Sequence, residues 1–179
     1  MSNEGYLELI VGPMFSGKTT YLVDIYNKFN ETHNIKVVNY SLDTRYDNEK
    51  LSTHDKVMIP CNFMSELNEN LDDLIQSQII LINEGQFFPD IKKVALELVE
   101  KHNKHVYICG LDGDFKRNKF GELLDLIPYC DKITKLTSNC DCGKKALFSH
   151  RLAVSTDQVL IGSTNYLPLC RECYNKAQI

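Results

Sequence analysis

The stretch GPMFSGKTT at residues 12–20 restricts the possible folds of this chain more than any other. It fits G-x-x-x-x-G-K-[ST], with Gly12, Gly17, Lys18 and Thr19 at the fixed positions of a phosphate-binding loop, or P-loop. Such a loop wraps phosphates with residues Gly12, Pro13, Met14, Phe15, Ser16 and Gly17, through backbone N–H groups wherever the residue carries one. Lys18 reaches the outer phosphates and the Thr19 hydroxyl serves magnesium. Its flanks supply the context that the motif needs. YLELIVG (6–12) is an apolar, β-branched run ending in glycine, the form of a buried strand feeding a loop. From Lys18 onward Tyr21, Leu22, Ile25, Tyr26 and Phe29 fall on one helical face, and the helix start adds partial positive charge to the phosphate site. A nucleoside triphosphate, ATP or GTP, is the expected ligand.

The same alternation continues along the chain. IKVVNYS (35–41), QIILINEG (78–85), HVYICGLDG (105–113) and KITKLT (132–137) read as strands, with helical patterns at 66–76 and 90–103. The expected fold class is therefore α/β: a mostly parallel, RecA-like P-loop sheet with flanking helices and ligands at the carboxyl ends of its strands. The polar, aperiodic stretch from Asp43 to Pro60 is read as a long functional loop with a β-ribbon around KVMIPC. Beyond residue 137 the character changes to cysteines, Ser, Asn and basic residues. That predicts a nucleotide-binding unit over 1–137 and a small metal-stapled module over 138–179.

With 179 residues the chain has enough length for one full core and too little for two independent domains of usual size. Its net charge of −4 lacks the basic footprint of a nucleic-acid binder. No apolar run reaches the roughly 18 residues of a membrane span. The start MSNEGYLEL lacks the cationic and apolar regions of a signal peptide, so the cytoplasm is the expected compartment. In a reducing compartment, seven cysteines with four crowded into the last quarter indicate metal ligation before disulfides.

Four further segments carry chemistry. Glu84 in INEGQFF closes a buried strand beside the P-loop, where phosphoryl transfer needs a base for the attacking hydroxyl, and Phe87 and Phe88 follow as walls for a planar ring. In DTRY, Asp43 suits magnesium and Arg45 suits the transferring phosphoryl group. In LDGDFKRNKFG, Leu111, Phe115 and Phe120 can close over a flat ligand, with Lys116, Arg117 and Lys119 between them. Last, Cys170 and Cys173 have the C-x-x-C spacing of a zinc site, and Cys140 and Cys142 supply its other half. The C-x-C spacing is tighter than usual, which leaves Asp141, His150 or water as alternatives if Cys140 cannot reach.

Taken together, GPMFSGKTT, DTRY, THD, EGQFFPD, LDGDF, KFG, KLT and LCREC resemble, in order and over residues 12–173, the type II thymidine kinases, the cytosolic cellular and poxviral family. The resemblance implies an α/β P-loop domain with a zinc-containing lasso domain, a homotetramer, and transfer of the ATP γ-phosphate to the 5′-hydroxyl of thymidine, with deoxyuridine as a second substrate. It also implies a place in nucleotide salvage and feedback inhibition by dTTP. Glu84 would be the base, with Asp43 and Arg45 serving magnesium and phosphates. The nucleoside would be lined by Met14, Phe87, Leu111, Phe115, Phe120 and Tyr166, read by backbone near Val159, with Ser149 and Arg151 in or beside the lasso. Two departures stand out. Asn83 occupies a position where the family has aspartate before the glutamate, keeping an acceptor for a magnesium-bound water without the charge, so weaker magnesium affinity is expected. The C-x-C pair replaces the family's C-x-x-C. The sequence stops shortly after Cys173, at Ile179, so the C-terminal extension through which vertebrate members are degraded is expected to be lacking. The competing class is a nucleotide-switched module presenting a zinc ribbon to nucleic acid, which predicts a basic face and tolerance of Glu84→Gln.

Overall fold

The computed structural model describes residues 4–41, 50–52, 58–160 and 163–177. The strands run in chain order β1 (Tyr6–Val11), β2 (Ile35–Tyr40), β3 (Lys50–Ser52), β4 (Met58–Pro60), β5 (Asn62–Met64), β6 (Ile79–Ile82), β7 (His105–Gly110) and β8 (Lys132–Lys135). The helices among them are α1 (Lys18–Phe29), α2 (Leu71–Gln76) and α3 (Ile91–Leu96). Six strands form one sheet in the order β5-β2-β6-β7-β1-β8, and every pairing in it is parallel. The expected ribbon around KVMIPC is present as the antiparallel pair β3 and β4.

Alternation along each strand sends successive side chains to opposite faces. Leu7, Leu9 and Val11 of β1, with Ile80, Ile82 and Ile108, pack against Leu74, Val94 and Leu98 beneath α2 and α3. Ile10, Val37, Ile79 and Leu81 face the other way and meet Leu22 and Val23 of α1. Nearly all of these side chains are fully buried, each contributing about 1.5–3 kcal/mol of transfer free energy. Residues 97–101 continue α3 as a wider π-helical turn, so the helix expected over 90–103 is there but not uniform. Similarly, the 66–76 segment opens with a 3₁₀ turn at Leu67–Asn70 before α2. The Asp90 carboxylate, just before α3, accepts the Leu67 and Asn68 N–H groups and locks these pieces together.

One charge lies in the α1 side of the core. Glu8 on β1 is 3% exposed and accepts hydrogen bonds from Tyr6, Tyr21 and Thr134, while Lys132 on β8 reaches it at 2.9 Å. Burial pushes its carboxyl up, but the hydrogen bonds from Lys132, Thr134 and Tyr21 outweigh that, and the net shift is downward. The cluster fastens the edge strand β8 to β1 and α1.

The remainder of the chain adds β9 (Ser138–Asn139), β10 (Lys145–Ala146), β11 (Phe148–Arg151), β12 (Tyr166–Leu169) and α4 (Arg171–Ala177). β9 pairs with β10 and β11 with β12, both antiparallel. Its apolar centre is small: Cys140, Ala146 and Cys170, backed by Leu169 and Cys173. A core of that size needs another fastening. Among the described residues no helix is long and apolar enough to cross a membrane.

Candidate active site

In the sheet, β7 lies between β6 and β1, so the loops leaving β1 and β6 emerge on either side of its carboxyl end. The loop after β1 is the P-loop. Gly17 sits at φ 84°, a left-handed conformation that side chains disfavour, and α1 begins at the next residue. At Gly12 any Cβ would lie 2.6 Å from the Leu136 carbonyl oxygen, so the chain can pass there only as glycine. Lys18 is 8% exposed and its ammonium donates to the Gly12 and Pro13 carbonyls at 3.1 and 2.7 Å. Thr19 follows in the first turn of α1. Two serines from the C-terminal part fasten this loop. Ser149 on β11 accepts the Met14 N–H at 2.9 Å, and Ser138 on β9 donates to the Phe15 carbonyl at 2.9 Å.

The loop after β6 carries Asn83 and Glu84. Glu84 adopts φ 54°, again left-handed, and opens the 3₁₀ turn Gly85–Phe87. Its carboxylate accepts a hydrogen bond from the Gln86 side chain at 2.6 Å, and the other end of that amide accepts the Leu111 N–H at 3.0 Å. Gln86 thereby ties the loop after β6 to the loop after β7. Between them lies Cys109, wholly buried: desolvation pushes its thiol up to about 12, Glu84 adds to that shift and Lys18 opposes it. A lysine and a carboxylate thus act on one point at the end of β7. Asn83, 3% exposed, donates to the Asn39 side chain at 2.9 Å and accepts from the Cys109 thiol at 2.8 Å.

Aromatic rings continue the surface beyond Glu84. Phe87 stacks on Tyr40 with centroids 5.3 Å apart and meets Phe120 edge-on at 5.2 Å. Phe115 lies under the Arg151 guanidinium, 3.8 Å from its ring centre. Arg151 is 5% exposed and fans out to the Ser155, Asp157 and Gln158 carbonyls and to the Tyr166 hydroxyl, which itself donates to Leu160. Arg151, with the Tyr166 hydroxyl it holds, therefore sets the course of residues 155–160. Val159 stands 46% exposed on that segment, and its neighbours Gln158 and Leu160 carry the fixing hydrogen bonds. The Gln158 amide also donates to Asp114 at 2.9 Å, joining this segment to the loop of Phe115 and Phe120.

The sulfur atoms of Cys140, Cys142, Cys170 and Cys173 lie within 4.8 Å of one another and can hold a metal ion. Cys142 is 3.5 Å from Cys140 and 3.6 Å from Cys170. A tetrahedral ion with metal–sulfur bonds of about 2.3 Å needs sulfurs about 3.8 Å apart, so the cluster fits. The tight C-x-C spacing works because the chain turns back at once: Gly143, at φ 83°, donates to the Cys140 carbonyl, and Cys140 N–H bonds to Lys144. Cys140 does reach, and neither Asp141 nor His150 is needed. Backbone N–H groups, first that of Cys170 and then that of Cys142, pull the Cys140 thiol down to about 6, towards the thiolate that metals bind.

The sequence-derived residues Lys18, Glu84, Phe87, Leu111, Phe115, Phe120, Ser149, Arg151 and Tyr166 thus lie on segments linked at the carboxyl edge of the sheet. Asp43 and Arg45 lie outside the described residues. Tyr40, Gln86, Asn39 and Cys109 were not singled out from the sequence. Gln86 stands inside the EGQFF motif, and a polar residue between Gly85 and Phe87, two positions after Glu84, was the available signal.

A P-loop at the end of a parallel strand, with a carboxylate two strands away and aromatic rings beyond it, defines a nucleotide-binding protein built for phosphoryl chemistry. A family model described as "Thymidine kinase" matches residues 5–174. A thymidine kinase of Oryza sativa subsp. japonica is 39% identical over 187 residues, covering 99% of this chain and 69% of that protein. Thymidine kinase 1 of Dictyostelium discoideum is 40% identical over 97% of this chain and 79% of its own length. The Monkeypox virus thymidine kinase is 38% identical over 96% of this chain and 98% of its own. The chain belongs to the thymidine kinase family, a family of enzymes. Among solved structures, domain III of the Thermotoga maritima replication initiation protein DnaA is similar over 75% of this chain at 19% identity, with a TM-score of 0.42, too loose to bear on the reading.

Proposed function

We propose that this chain transfers the γ-phosphoryl group of ATP, taken up with magnesium, to the 5′-hydroxyl of thymidine, with deoxyuridine as a second acceptor, in nucleotide salvage. The observation that carries this reading is the placement of Lys18 and Glu84 on the loops leaving β1 and β6, on either side of β7, in a chain of this family. Lys18 exchanges the Gly12 and Pro13 carbonyls for phosphate oxygens, and the loop amides share the charge. Thr19 and Asp43 serve the magnesium that arrives with ATP, and Arg45 the phosphates. Glu84 takes the proton of the 5′-hydroxyl as the phosphorus–oxygen bond forms and ADP leaves. Little covalent work falls to the protein, so rate depends on positioning and charge. Phe87, Phe120 and the Arg151-held segment enclose the thymine, whose methyl offers only a modest apolar increment for discrimination. A zinc ion in the four-cysteine site fixes the C-terminal fold that supplies Arg151 and Tyr166, and takes no part in the reaction. A homotetramer, cytoplasmic residence and inhibition by dTTP complete the proposal.

The test is a product assay with magnesium and ATP, offering thymidine, deoxyuridine, deoxycytidine and deoxyguanosine separately. We expect dTMP from thymidine and a smaller yield from deoxyuridine, with Glu84→Gln lowering kcat by about 10²–10⁴ while ATP still binds. Full activity in Glu84→Gln would remove Glu84 as the base, and product only from deoxycytidine or deoxyguanosine would move the chain to another deoxynucleoside.

A further inference from the structure

Three buried side chains meet beneath Glu84, one from each of the adjoining strand ends of β2, β6 and β7. Asn39, Asn83 and Cys109 are 3%, 3% and 1% exposed. The Asn83 amide uses both of its ends: Nδ2 donates to Asn39 Oδ1, and Oδ1 accepts from the Cys109 thiol. Burial keeps Cys109 a thiol and therefore a donor. The Asn83 backbone N–H is also spent, on the Val38 carbonyl at 2.8 Å. The residue is thus pinned from β2 and from β7 at once. Its neighbour is Glu84 at φ 54°, a conformation that a residue with a side chain keeps only where its surroundings enforce it.

We infer that Asn83 is a positioning residue: its amide bridges Asn39 and Cys109 and so holds the left-handed turn that presents Glu84, instead of serving a magnesium-bound water. This inference rests on the reading of Glu84 as the base. An aspartate at this position would be acceptor-only and would face the Asn39 oxygen at 2.9 Å, so the Asn39 amide would have to turn over. It would also bury a second carboxylate directly beside Glu84. Asparagine at 83 and its two partners form one consistent set.

The experiment is steady-state kinetics of the full-length protein across a magnesium titration, for Asn83→Ala, Asn83→Asp, Cys109→Ala and Cys109→Ser. Misplacing the base by a fraction of an ångström should cut kcat on the order of tenfold to a hundredfold in Asn83→Ala and Cys109→Ala. The KM values for ATP and thymidine, and the half-saturating magnesium, should stay within about twofold, because substrate binding is not what is lost. Cys109→Ser keeps a donor and should recover most of the rate. The double variant Asn83→Ala/Cys109→Ala should be little worse than Asn83→Ala alone, since that change already removes the link to Cys109. Asn83→Asp should lose kcat at every magnesium concentration.

Asn83→Asp that keeps kcat and needs less magnesium would overturn the inference, as would Asn83→Ala whose rate is restored by excess magnesium. So would an unchanged kcat in folded Asn83→Ala. If Asn83→Ala does not fold, the Cys109 pair decides, and equal rates in its Ala and Ser forms overturn the proposal. Glu84→Gln assayed in parallel separates the two readings. Full activity there removes the base itself, whereas loss there with a normal Asn83→Ala removes only the positioning role.

Discussion

The P-loop side of the candidate site and the side built around Phe115 and Tyr166 are held by different forces. Around the P-loop and Glu84 the frame is a parallel sheet whose strands β1, β6 and β7 bury Leu7, Leu9, Ile80, Leu81 and Ile108 completely on two faces. Around Phe115 and Tyr166 the frame is a pair of short antiparallel ribbons with a small apolar cluster, four sulfurs and the hydrogen-bond fan of Arg151. Burial is non-directional and spread over many side chains. Sulfur ligation and carbonyl hydrogen bonds are directional and few. The first kind of frame loses stability gradually under substitution, and the second can be released by one change.

The largest effect should come from the sulfurs. Cys170→Ser, or stripping the metal with a chelator, should abolish thymidine turnover and expose residues 138–177 to hydrogen exchange, since structural zinc ligation contributes about 10–16 kcal/mol. Protection of β1, β6 and β7 should persist, with ATP binding weakened only as far as the Ser138 and Ser149 contacts to the P-loop are lost. Equal loss of protection in both halves would erase the contrast. Next, Leu81→Ala in the middle of the sheet should cost about 2–5 kcal/mol of unfolding free energy, measured in urea, and weaken both substrates together if at all. Smaller again, Arg151→Ala should raise the thymidine KM about tenfold, with the ATP KM moving much less, because it frees residues 155–158 without touching the sheet. Arg151→Lys should recover little, as an ammonium cannot span the same carbonyls.

The smallest effect concerns acid. Because Glu8 has a carboxyl lowered in the folded state, it favours folding above the ordinary glutamate value, and that contribution fades as pH falls through its folded value. Urea midpoints between about pH 3 and 6 should therefore slope more steeply in the wild type than in Glu8→Gln. Parallel slopes would mean that the Tyr6, Tyr21, Thr134 and Lys132 contacts discriminate poorly between charged and neutral forms.

How far these features could be read from the sequence follows the same division. Strand and helix periodicity located β1, β2, β6, β7 and α1, because each repeats one face against a large core. The P-loop and Glu84 fell at strand ends, where such sheets collect ligands. The short elements β5 and β9 to β12 carry too few residues for any period to show, and their partners are set by tertiary contacts. The C-x-C spacing reads as too tight because the turn at Gly143 that folds the chain back onto Cys140 depends on a left-handed glycine and not on the cysteine spacing. Asn83 was legible as an amide near magnesium chemistry, but its commitment to Asn39 and Cys109 depends on three strands lying side by side, which no local pattern encodes.

The position of β1 has a consequence for how the protein is made. It is the first strand in the chain and the fifth in the sheet, and its neighbours are β7 at residues 105–110 and β8 at residues 132–135. During synthesis the P-loop strand leaves the ribosome with no sheet partner and waits for most of the chain to follow. Long-range parallel pairing of this kind is slow and leaves apolar strands exposed meanwhile. Nascent chains halted before residue 105 should accordingly fail to retain ATP, so the ability to grip a nucleotide arises late, shortly before the four clustered cysteines at 140–173 emerge.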